Sequence, residues 1–217
     1  MIQLDRRVLP RSVQLSGVHV RSGVVYGHTS LRAMPVQREL WLDLDDDHPL
    51  DPETSYVIEA DGLLDLDGNA LDEPFHATFR TGLELGMPVP APQADAAAAL
   101  MLLAERCATR GCHSARDAAL GLDLSDYAGI ARTAIGARSR APTGSIGEEG
   151  ARGSFTLSAL RIIDLVAGQG EPATSLLVYK ILGDPHVAGE PMPPAKSLDA
   201  TEIELLSAWI EAGAPER

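Results

Sequence analysis

Cys107-Ala-Thr-Arg-Gly-Cys112-His113 is the stretch on which the reading of the C-terminal half depends. It holds the only two cysteines among 217 residues, and a histidine follows the second one directly. Two thiols beside an imidazole are the groups that covalent haem attachment needs. The thiols add across the vinyl groups of the porphyrin, and the imidazole is held against one face of the iron. The usual spacing has two residues between the cysteines; here there are four. On a helix, positions i and i+5 lie about 140° apart round the axis, at ~100° per residue, so a straight helix splays the two thiols. The segment is therefore expected to bulge, with Gly111 supplying the unusual backbone angles. A short Cys107–Cys112 disulfide loop in an exported protein is a second reading. A zinc site is a third, weakened because zinc takes four ligands and only two cysteines exist.

A chain of this length suits one or two domains and can bury a real core. Its formal charge of −13 argues against nucleic acid or an anionic membrane as partner. The acidic excess runs through both halves: seven basic and fifteen acidic residues in 1–85, eleven and sixteen in 86–217. No apolar run reaches the length of a membrane span, and Ala96–Leu103 is far too short. The start, Met1-Ile-Gln-Leu-Asp-Arg-Arg7, lacks the regions of a signal peptide. Haem attachment needs export, so the expectation is a preceding segment that supplies the export signal and an outer-surface attachment.

Residues 1–82 read as strands. Val13–Val20, Glu39–Leu44, Ser55–Glu59 and Phe75–Phe79 alternate apolar and polar positions, as half-buried strands do. Gly23, Gly27, Asp45–Asp47, Asp51-Pro52 and Asp67-Gly68-Asn69 punctuate them with turn formers. Short strands at such intervals predict an antiparallel sandwich. Asp43 and Asp45–Asp47, or Asp61, Asp65, Asp67 and Asn69, offer oxygens to calcium. Neither run has the twelfth-position glutamate of an EF-hand loop, and solvated turns are the expectation. His19, His28, His48 and His76 are scattered and read as surface or sheet residues.

The run Leu50-Asp-Pro-Glu-Thr-Ser-Tyr56, then Asp65-Leu-Asp-Gly-Asn-Ala-Leu71, then Phe79-Arg-Thr-Gly82 resembles the ending of SbsA-type bacterial Ig-like domains. The resemblance implies a β-sandwich over 1–84, a cell-envelope module without catalysis.

Residues 85–95 include Met87-Pro-Val-Pro-Ala-Pro92, a semi-rigid spacer and the expected domain boundary. Beyond it, 96–217 is expected to be mainly helical and rich in loops. Asp95 caps a helix to about Ala108. A second helix runs from Leu124 to about Ile135, and Arg138–Ser154 forms a surface loop. Ser158–Val166 fits helix or strand. Ala173–Leu182 and Ala200–Ala212 are further helices, the last burying Ile203, Leu206 and Ile210 and stopping at Gly213. Gly168-Gln-Gly170 is a turn, since no strand–GxGxxG–helix unit surrounds it.

Between the last two helices, Met192 stands between Pro191 and Pro193, poorly placed for core packing. A thioether is a natural axial ligand for low-spin haem iron, and flanking prolines restrict the loop that carries it. His186 is a rival distal ligand.

The run 96–215 resembles a class I-type c cytochrome domain of the loop-rich variety found in planctomycete and myxobacterial envelope proteins. The resemblance rests on Cys112-His113-Ser114, Gly121–Leu124, Ser175–Lys180, the Met192-Pro-Pro turn and Glu202…Trp209–Pro215. It implies one haem c bound covalently by Cys107 and Cys112, with His113 as proximal and Met192 as distal iron ligand. The four-residue gap before Cys112 departs from the family pattern. Tyr127, Phe155, Tyr179 and Trp209 are the aromatics available to line the haem pocket. The function implied is one-electron transfer outside the cytoplasm, in the periplasm or at the cell surface, with the Ig-like part as spacer or docking module. The redox partner is not specified, and no acid/base pair, nucleophile or phosphate loop suggests an enzyme. The alternative is a non-redox envelope module with a Cys107–Cys112 disulfide and no haem.

Overall fold

The computed structural model describes residues 1–15, 19–22, 24–26, 29–44, 50–83, 94–140, 157, 160–166, 168–187 and 189–217. The chain divides into two compact units, Met1–Pro90 and Ala91–Arg217. The expected spacer lies almost wholly outside the described residues, as do Gly23, Gly27, Asp45–Asp47, His28, His48 and Phe155.

The N-terminal unit contains two antiparallel sheets. One has the order β1 (Ile2–Gln3), β5 (Glu39–Leu44), β4 (Thr29–Met34). The other has the order β3 (Val24–Tyr26), β2 (His19–Ser22), β6 (Ser55–Ala60), β7 (Phe75–Arg80). Strands β5, β6 and β7 fall where the alternating pattern puts them.

Val13–Leu15 does not join a strand. It ends a helix, α1 (Pro10–Leu15). Pro10 supplies a first helical residue that has no N–H to satisfy, and Ser12 Oγ donates to Leu9 O at 2.8 Å and accepts from Leu64 N at 3.0 Å. A short apolar alternation puts Val13 inward in either conformation, so the pattern does not separate helix from strand here.

The motif pieces of this unit meet in space. Tyr56 sits opposite Phe79 across the β6–β7 ladder, with ring centroids 5.6 Å apart. The fully buried Tyr56 accepts the Asp51 N–H at its hydroxyl at 2.9 Å. Thr81 Oγ1 accepts from Thr54 N at 2.9 Å and donates to Asp51 O. Asp65 holds its own turn, taking Asn69 N and Nδ2 at 2.8 and 3.1 Å, and pairs with Arg6 at 3.1 Å.

The C-terminal unit is built from α2 (Ala96–Arg106), α3 (Tyr127–Thr133), a short hairpin of β8 (Leu165–Val166) and β9 (Gln169–Gly170), α4 (Leu176–Ile181) and α5 (Ala200–Glu211). Asp95 accepts Ala98 N at 2.9 Å and starts α2. Asp126 does the same for α3, at 2.7 Å from Gly129 N. Asp199 and Glu202 form a reciprocal capping box on α5.

Helices α2 and α5 pack together. Arg106 ties the end of one to the start of the other, pairing with Glu202 at 2.7 Å and donating to the carbonyls of Lys196 and Ser197. Leu206, Trp209 and Ile210 of α5 are fully buried, and Trp209 Nε1 donates to Pro215 O. Gly170 lies so close to α5 that a Cβ would sit 1.5 Å from Ile210 O, so only glycine lets the hairpin reach the helix. In the described part of the undecided segment before β8, Ile163 bridges to Ile135, and Arg161 to Arg138 and Ser175.

Candidate functional site

Helix α2 delivers Cys107 as its C-terminal cap, with Cys107 N donating to Leu103 O at 2.9 Å. The chain then leaves the helix and loops. Cys112 N returns to Thr109 O at 3.0 Å, and His113 N returns to Cys107 O at 3.1 Å. Gly111 takes φ +79°, the left-handed angle that the spacing required. The widened gap is thus absorbed by a turn, and the 140° splay of a continued helix does not arise. Downstream, Ala119 N donates to Cys112 O, and Leu124 N to His113 O, each at 2.8 Å.

Cys107, Cys112, His113 and Met192 all line one cavity of about 1150 Å³. Its wall is mostly apolar, with Leu122, Leu124, Ile162, Leu176, Leu177 and Ile181 contributing. Met192 is half-buried, and its N–H donates to Lys180 O at 3.1 Å, which fastens the proline-flanked loop to α4. His186 does not line the cavity. Its Nδ1 lies 2.8 Å from Oδ1 of Asp184, a buried carboxylate that also accepts the His186 N–H.

Both cysteines are free thiols. Burial pushes Cys107 up to about 11, with the charges of Cys112 and Glu202 adding and that of Arg106 opposing. Cys107 is therefore a neutral thiol at ordinary pH and unlike an activated nucleophile. Burial also holds His113 below its ordinary value of 6.5, against the opposing pull of the backbone at Leu122 and Ala119. The neutral imidazole, the form that ligates metals, is thereby favoured. Its Nδ1 is buried and has no hydrogen-bond partner of normal geometry. Among the described residues, no group of three or more His, Cys, Asp and Glu side chains could hold a metal ion by itself.

Sequence reasoning missed the basic part of the wall. Arg106, Arg132, Arg138, Arg140, Lys180 and Lys196 line the cavity, against Glu105 and Glu190. Arg132 is held by Asp123 at 3.1 Å. The Arg140 guanidinium covers Gly121, where a Cβ would meet Nη1 at 2.7 Å. Arg138 and Arg140 belong to a stretch that reads as surface loop, because composition alone does not say which way an arginine faces. The aromatics are a correction in the other direction. Tyr179 and Trp209 are buried, with their polar ends on the Ala173 and Pro215 carbonyls. Neither they nor Tyr127 lines the cavity, and the apolar part of its described wall is aliphatic.

Comparison of the chain with protein-family models, curated proteins and solved structures gives no match. No helix among the described residues is long and apolar enough to cross a membrane.

Proposed function

We propose that the C-terminal unit carries one covalently bound haem c and acts as a one-electron carrier outside the cytoplasm, in the periplasm or at the cell surface. The observation that carries this reading is the convergence of Cys107, Cys112, His113 and Met192 on one mostly apolar cavity. Two thiols, an imidazole and a thioether are the donor set of a covalently attached, six-coordinate haem. The bound porphyrin iron would supply the Fe(II)/Fe(III) couple.

The chain's own residues hold and tune it. Cys107 and Cys112 would anchor the ring, and His113, kept neutral by burial, would offer its lone pair to the iron. Met192 would supply the second axial group; it lines the cavity, whereas His186 is engaged by Asp184. Arg138 and Arg140 offer positive charge to the acidic side chains of the porphyrin. The aliphatic part of the wall would lower the polarity on its side of the iron, which together with a thioether ligand favours the ferrous state. The N-terminal unit, with its two small antiparallel sheets, serves in this reading as an Ig-like spacer or docking module.

The optical spectrum of protein matured by a c-type system tests the reading. Reduced protein should show six-coordinate, low-spin haem, and Met192→Ala should lose that ligation and lower the reduction potential. If Met192→Ala leaves spectrum and potential unchanged while His186→Ala alters both, the distal ligand is His186.

A further inference from the structure

We propose that Asp117 is a positioning residue that holds the widened Cys107–Cys112 loop so that both thiols address one ligand. The proposal rests on the haem reading above. Cys107 is placed by α2, but nothing helical places Cys112, because the helix ends at Arg106. A single carboxylate oxygen, Asp117 Oδ2, accepts from Gly111 N at 2.9 Å and from Ser114 Oγ at 3.0 Å. Those two donors flank the Cys112-His113 pair on either side. Ser114 Oγ in turn accepts Asp117 N at 3.2 Å, so the clamp closes on itself.

The backbone beyond Asp117 is strained: Ala118 and Leu120 take φ of +33° and +57°, in the left-handed region that side chains disfavour. Strain of this kind persists only where the surroundings impose it, and it clusters at functional sites. Asp117 itself is exposed and contributes nothing to the core. What its hydrogen bonds fix is the path between the two cysteines.

The chemistry served is addition of a thiol to a vinyl group. One S–C bond forms, the S–H bond breaks, its hydrogen goes to the terminal vinyl carbon, and no oxidant is consumed. Double attachment requires both sulfurs at a set separation, and Asp117 steadies it from Gly111 and Ser114, beside the backbone bonds of Cys112 to Thr109 and Ala119.

The test counts thioethers by intact mass and by thiol labelling under denaturing conditions, in full-length protein matured by a c-type system. Wild type should carry one haem and only a small residual fraction with a free thiol. Asp117→Ala should raise the fraction with a free thiol at Cys107 by about tenfold, because Cys112 stays beside His113. Asp117→Asn should restore double attachment, since its amide oxygen can accept the same two donors. Melting of the haem-free chain should change little across the three proteins, whereas a merely structural role would shift melting and leave the thiol count alone. Two thioethers in Asp117→Ala, or a single thioether already in wild type, would overturn the role of Asp117 while leaving the haem reading standing. Wild type without haem would overturn both.

Discussion

In the N-terminal unit, residues meet their partners along ladders: β4 pairs with β5 over six positions and β6 with β7 over another six. Leu40, Tyr56, Ala60 and Leu63 fill the space beneath them almost without exposure. Among the described residues of the C-terminal unit, the longest helices, α2 and α5, have eleven and twelve residues, and α3 and α4 only seven and six. Helices this short are marginal alone, since isolated helices below about 12–15 residues barely persist in water. They are held by aspartate caps, by Arg106 reaching across to Glu202, and by a core that stops at a cavity of about 1150 Å³. Packed interiors leave few voids larger than a water molecule. The described residues of the first unit are joined along ladders, whereas those of the second surround a cavity, which on the proposed reading the haem fills.

The largest expected effect follows from that contrast. Haem-free protein should melt well below haem-loaded protein in the C-terminal unit only, because the ligand completes that core and couples binding to folding. Calorimetry should show one transition moving and the other fixed. Equal melting of both forms would break the comparison.

Next come paired core truncations. Trp209→Ala should cost about 3–5 kcal/mol and Leu40→Ala about 2–5 kcal/mol. Each should shift only its own unit's transition in denaturant, and a shift in both would mean that the two units unfold as one.

A smaller effect concerns Asp123, whose carboxylate accepts from Ser125 N and Oγ and pairs with Arg132. The Ser125 hydroxyl first, with the Ser125 amide and Arg132 assisting, holds Asp123 below its ordinary 3.8 despite burial. Its folded value is the depressed one, so its contribution is full above pH 3.8 and is lost as pH falls through the folded value. Asp123→Asn should cost about 1–3 kcal/mol near neutrality and flatten the acid limb of the C-terminal unit's stability curve. An unchanged acid limb would assign that limb to other carboxylates.

Much of this was legible in the sequence, for reasons that particular residues make plain. Strong period-2 alternation marks β5, β6 and β7, and Asp95 announces the helix it caps. Cys107, Cys112, His113 and Met192 carry distinctive chemistry, so they could be grouped before any fold was known. What stayed hidden depends on direction. Val13 alternates like a strand residue yet sits in a helix started by Pro10. Arg138 and Arg140 are exposed, as their surroundings in sequence suggest, but that they also border the cavity is not written in composition. Tyr179 and Trp209 look like pocket aromatics, but their hydroxyl and indole N–H have found backbone carbonyls in the core. Asp117 has no motif at all. Its part is visible only once Gly111 and Ser114 are seen to share one oxygen.

The most direct test of the central claim is the intact mass of the wild-type chain, matured by a c-type system and measured after denaturing extraction. The expected mass is that of the polypeptide plus one haem, retained through denaturation. A chain lighter by two hydrogens, with Cys107 and Cys112 joined in a disulfide and no haem, would contradict it.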